Sequence, residues 1–67
     1  MDTNDSGRKI QATYTSLEIM ETIRELDGAR VTELANTLDL SPSTVHTHLA
    51  TLVSADYVVK SGDIYHL

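Results

Sequence analysis

Val31–Leu52 reads VTELANTLDLSPSTVHTHLATL, and two helical periods can be counted in it. Val31, Leu34, Ala35 and Leu38 recur at i, i+3, i+4 and i+7, which gives a first short helix one apolar face. Thr32 is a good N-cap for it. Ser41-Pro42 then restarts the chain. Ser41 is a strong N-cap, and Pro42 falls at N1, where its missing N–H costs nothing. The proline also pushes Ser41 toward the extended conformation that an N-cap adopts. Leu40 is placed to staple onto Val45. The apolar stripe continues through Val45, Leu49, Leu52 and Val53. Asp39 and Leu40 make the turn. It contains no glycine, which puts a strained backbone angle on one of residues 37–39.

Two helices joined by so tight a turn form a helix-turn-helix, a device that lays its second helix in the major groove of DNA. At about 100° per residue, the side opposite the stripe carries Ser43, Thr44, Thr47, Ala50, Thr51 and Ser54, with His46 and His48 on the flanks. Serine and threonine hydroxyls bond phosphates or base edges, and a threonine methyl can meet a thymine methyl. A merely solvated helix would use better helix formers than these. DNA contact through this face is therefore the stronger reading.

Outward toward the N-terminus, Thr15-Ser16-Leu17-Glu18 matches a capping box, so a first helix is expected from about Ser16 to Asp27. Leu17, Ile19, Met20, Ile23 and Leu26 would form its buried stripe, and Gly28 suits a left-handed position just beyond Asp27. Residues 1–13 are polar and are expected to form a flexible tail, leaving 14–67 as the folded domain. Outward toward the C-terminus, Tyr57–Lys60 and Ile64–Leu67 are β-prone. Gly62-Asp63 between them suits a two-residue type II′ turn. That register pairs Lys60 with Tyr65 and Val58 with Leu67, so Val58, Tyr65 and Leu67 would cover the helices. Val31 is a candidate third strand. The expected architecture is α+β: a three-helix winged helix-turn-helix with a C-terminal β-hairpin wing. Lys60 is the best-placed wing base for a phosphate. Arg30 is placed either to touch the DNA backbone or to pair with an acid.

Composition restricts the rest. The chain has 67 residues, no cysteine and a formal net charge of −5. Below roughly 70–80 residues a single core supplies only about 3–5 kcal/mol. No apolar run approaches the ~18 residues of a membrane span, and residues 1–9 lack the apolar segment of a signal peptide. The expectation is a cytoplasmic protein with no membrane partner. The acidic balance reads either as a solubilising surface or as the mark of a halophilic cell, where the Debye length at about 1 M salt is only ~3 Å and long-range attraction to phosphate is screened. No paired carboxylates in an apolar run and no glycine-rich phosphate loop are present, so no catalytic residue, enzyme activity or cofactor is expected. His46 and His48 are two apart on a helix and do not face each other, which argues against a metal site.

The stretches SLEIMETI, VTELANTLDLSPSTVHTHLATL and YVVKSGDIYHL, in that order, resemble the N-terminal winged helix-turn-helix of IclR-family transcriptional regulators, especially haloarchaeal ones. The resemblance covers about residues 15–67. It implies sequence-specific binding of double-stranded DNA, a homodimer, and a small-molecule effector bound only by a C-terminal domain missing from this chain. It also implies that Ser43, Thr44, His46 and Thr47 face the major groove, with Thr32, Ser41 and Lys60 near the backbone. Members often carry a basic residue and an arginine where this chain has Pro42 and Thr47, which implies a different operator sequence. The competing reading is an acidic winged helix that docks other proteins. It would dock them through the third helix or the wing, and such a face would show exposed apolar residues.

Overall fold

The computed structural model describes residues 10–67, and the expected tail therefore lies mostly outside the described residues. Three helices precede a hairpin: α1 (Gln11–Leu26), α2 (Val31–Leu38), α3 (Pro42–Ser54), β1 (Val59–Ser61) and β2 (Ile64–His66). The expected α+β winged helix-turn-helix is the observed fold. Ile19, Ile23, Leu34, Ala35, Val45, Leu49 and Leu52 from the three helices meet Ala29, Val58 and Tyr65 in one core.

Helix α1 starts earlier than the capping-box reading, at Gln11 after Ile10. Thr15 caps nothing. It is buried mid-helix and accepts a hydrogen bond from Gln11 Nε2 at 3.2 Å. The buried face runs Thr15, Ile19, Thr22, Ile23, not through Leu17 and Leu26. Leu17 lies two residues from Ile19, about 200° round the helix, and so points outward. Leu26 is in the last turn, past the edge of the core, and is exposed. The two threonines are tolerated inside because their hydroxyls bond within the helix, Thr22 Oγ1 donating to the Glu18 carbonyl at 2.9 Å.

The helix ends are set by backbone angles. Asp27 takes φ 56° and Gly28 φ 108°, and the Gly28 amide donates to the Ile23 carbonyl at 3.0 Å. This is the expected left-handed exit, spread over two residues. The strained residue expected at the end of α2 is Asp39, with φ 57°. Helix α2 is capped at Arg30, not Thr32: the Arg30 amide donates to Glu33 Oε1 at 2.9 Å, so Thr32 sits inside the first turn. Helix α3 begins as read, with Ser41 Oγ accepting from the Thr44 amide at 3.1 Å and Pro42 in the first turn.

The hairpin pairs Val59 with His66, Lys60 with Tyr65 and Ser61 with Ile64. This is the expected register. Gly62 has φ 63° and Asp63 a negative φ, as a type II′ turn requires. Val58 and Tyr65 are buried beneath the wing as expected, but Leu67 is exposed beyond the last paired residue. The third strand position belongs to Ala29, which exchanges two backbone bonds with Tyr65 at 3.0 and 2.8 Å. Val31 cannot serve there because it already begins α2.

Candidate nucleic-acid interface

Val45, Leu49 and Leu52 fasten α3 to the core, so the remaining faces of the helix are presented outward. Ser43, Thr44, His46, Thr47, Ala50, Thr51 and Ser54 are all exposed. Helical rotation separates them into three tracts. Ser43, Thr47, Ala50 and Ser54 form the crest. Thr44 and Thr51 lie on one flank, and His46 lies on the flank that faces the hairpin.

Local hydrogen bonds decide what each hydroxyl still offers. Ser41 Oγ accepts from the Thr44 amide and donates to Thr44 Oγ1 at 2.9 Å. Ser41 is therefore consumed by capping, while the Thr44 hydrogen is left to donate outward. Thr47 Oγ1 donates to the Ser43 carbonyl at 3.0 Å. It retains its acceptor lone pairs and its methyl for a partner. His48 is not part of this surface. It is half-buried on the opposite flank, where its Nδ1 lies 2.9 Å from Ser16 Oγ and ties α3 to α1.

Between the start of α2, the His46 flank of α3 and the hairpin lies a cleft of about 330 Å³. Arg30, Thr32, His46, Lys60, Asp63 and Tyr65 line it. Lys60 Nζ stands 5.8 Å from the centre of the Tyr65 ring, within reach of a cation–π attraction. Arg30 Nε donates to Asp63 Oδ2 at 3.1 Å. The third arginine or lysine among the described residues, Arg24, is on α1 and paired with Glu21. Its guanidinium hydrogen-bonds the Glu21 carboxyl and holds it below the usual carboxylate range. Among the described residues, no three His, Asp or Glu side chains come together as metal ligands would, and no helix is long and apolar enough to cross a membrane.

The structure thus brings His46, Lys60 and Thr32 into one cleft, places Ser43 and Thr47 on the adjoining crest, and sets Thr44 and Thr51 on the far flank. Sequence reasoning missed Asp63 as a member of this surface. It reads locally as a turn residue, and its partner Arg30 is 33 positions away.

Residues 16–62 match the family model described as the IclR helix-turn-helix domain. The chain belongs to this family. The IclR-type domain is also similar to full-length regulators. It is 37% identical over 60 residues to the probable HTH-type transcriptional regulator ArcR of Halobacterium salinarum, a match covering 90% of this chain and 23% of that protein. It is 44% identical over 50 residues to the HTH-type transcriptional regulator BhcR of Paracoccus denitrificans, covering 75% of this chain and 18% of that one. The chain therefore spans about a fifth of the curated relatives it matches. No solved structure gives a significant match. An IclR helix-turn-helix in this fold is a DNA-binding module of the regulatory kind.

Proposed function

We propose that the domain reads a specific operator sequence by laying α3 in the major groove, with the hairpin wing against the flanking backbone. The observation that carries this reading is the outer surface of α3, where hydroxyls and one imidazole are exposed and no large apolar side chain is. Ser43, Thr44, His46, Thr47 and Thr51 supply the groove surface, and Thr32 and Lys60 the backbone contacts. Ser41 contributes by orienting Thr44. A protein-docking role through α3 finds less support, because the exposed apolar residues lie elsewhere: Ile10 just ahead of α1, Tyr14, Leu17 and Leu26 on it, Tyr57 beside the wing, Val59 in β1, and Leu67. Ile10, Tyr14 and Leu17 share one side of α1 by helical spacing, and a second copy of the chain covering that side would give the homodimer that a two-half-site operator needs. A regulator of this kind acts in the cytoplasm, and a small-molecule effector would act through a further domain.

The acidic balance fits a cell with molar salt. There the counterion-release term fades, and a basic surface would add little affinity. Binding would then rest on close contacts. Fluorescence anisotropy on random and selected duplexes, from about 0.1 M to about 3 M KCl, tests this directly. Binding that persists at the highest salt and sharpens on selected sequences is expected. Absence of binding to any duplex at any salt would overturn the reading.

Two substitutions separate base reading from backbone holding. Thr47→Ala is expected to change base preference by about fivefold at one position, the lower end of what a base contact discriminates. Lys60→Ala is expected to weaken all duplexes about equally and to reduce the salt slope by about one. Equal losses on selected and random DNA for Thr47→Ala would refute the first expectation, and a sequence-selective loss for Lys60→Ala the second.

A further inference from the structure

We propose that Arg30 is a ligand for a DNA phosphodiester, and that Asp63 occupies it until the nucleic acid displaces the carboxylate. The proposal rests on the DNA-reading assignment above and adds a gate to it. The cleft between α3 and the wing holds two of the three arginines and lysines among the described residues, Arg30 and Lys60, in a chain of net charge −5. Arg24, the third, is on α1 and already paired. Asp63 is the one acid lining the cleft, and its Oδ2 takes the Arg30 Nε–H at 3.1 Å.

The pair is built to exchange. Its side chains are 56% and 76% exposed, so breaking it leaves no charge buried, and exposed pairs of this kind are weak. A phosphodiester, like a carboxylate, shares one negative charge between two oxygens that a guanidinium can take. The Arg30 amide itself is not available to a phosphate, because Glu33 Oε1 accepts from it at 2.9 Å. With the pair closed, the cleft presents Lys60 alone as an unneutralised cation. With the pair open, it presents two, beside His46. Asp63 therefore suppresses attraction to DNA in general, and the cost of opening is met only where the rest of the surface fits.

A double-mutant cycle read by fluorescence anisotropy tests this with the 67-residue chain, Asp63→Asn, Arg30→Gln and the double variant, on a random duplex pool. Asp63→Asn is expected to tighten binding by roughly fivefold at about 0.1 M KCl, the upper range for losing one exposed competitor. In the Arg30→Gln background the same change is expected to tighten binding by less than about twofold. Equal tightening in both backgrounds would make Asp63 a general repulsive charge and overturn the gate. So would an Asp63→Asn variant that binds as the parent does. If the parent chain is helical by circular dichroism yet binds no duplex, the DNA reading itself fails and takes the gate with it. That result is distinct from a parent that binds and an inert Asp63.

Discussion

Leu49→Ala is expected to leave the domain largely unfolded at physiological temperature. Leu49 is completely buried at the centre of α3, in the core cluster with Val45, Leu52, Ile19 and Ile23. Truncating a buried leucine costs about 2–5 kcal/mol through lost transfer energy and the cavity left behind. A core in a chain this short supplies about 3–5 kcal/mol in total, and there is no cysteine to reinforce it. The two magnitudes are the same, so the folded population should collapse. Far-UV circular dichroism with urea titration measures it. Val53→Ala is the control: Val53 is only half-buried at the rim and should lose much less. A Leu49→Ala variant that still unfolds cooperatively near the parent midpoint would refute the expectation.

Gly28→Ala is expected to cost about 1–3 kcal/mol, the usual range for a residue held at an unfavourable backbone angle. Gly28 has φ 108°, where side chains with a Cβ are strained whatever the room available. The added methyl would also come within 2.9 Å of His66 Cε1. The ring is at the far end of an exposed side chain and can swing aside, so the backbone angle should dominate. Adding His66→Ala to Gly28→Ala is therefore expected to recover only a minor part of the loss. Full recovery would instead assign the cost to the clash. Gly62→Ala separates the two effects further, since its φ is 63° but nothing lies within 4 Å of the new methyl. Denaturant midpoints for the three variants give the comparison.

How much of this was legible in the sequence depends on how local each cause is. The start of α3 was, because Ser41 and Pro42 act on the next turn of the same helix. So was the hairpin register, because a two-residue turn at Gly62-Asp63 leaves only one pairing. The start of α1 was not. Thr15 through Glu18 satisfies the capping pattern, yet burial of Thr15 against the core outweighs a local cap, and the helix extends back to Gln11. Thr32 failed as a cap for a similar reason, since Glu33 satisfies the Arg30 amide one step earlier. On the candidate surface, the exposure of Ser43, Thr44, His46, Thr47 and Thr51 followed from helical period alone. The Ser16–His48 bond and the Arg30–Asp63 pair did not, because they join positions 32 and 33 apart. No pattern within one element encodes such a contact.

The two backbone bonds between Ala29 and Tyr65 have a metrical consequence. They join the wing to Ala29, two residues ahead of α2, and so tie wing, α2 and α3 into one frame. For a domain that reads DNA, such a frame is a gauge as well as a reader. One extra base pair between the groove contact and the wing contact moves the outer phosphates by about 3.4 Å along the axis and about a tenth of a turn around it. A jointed domain would absorb that displacement. This one is expected to register it as a misfit, and the length of its site would then depend on the two hydrogen bonds that add Ala29 to the hairpin.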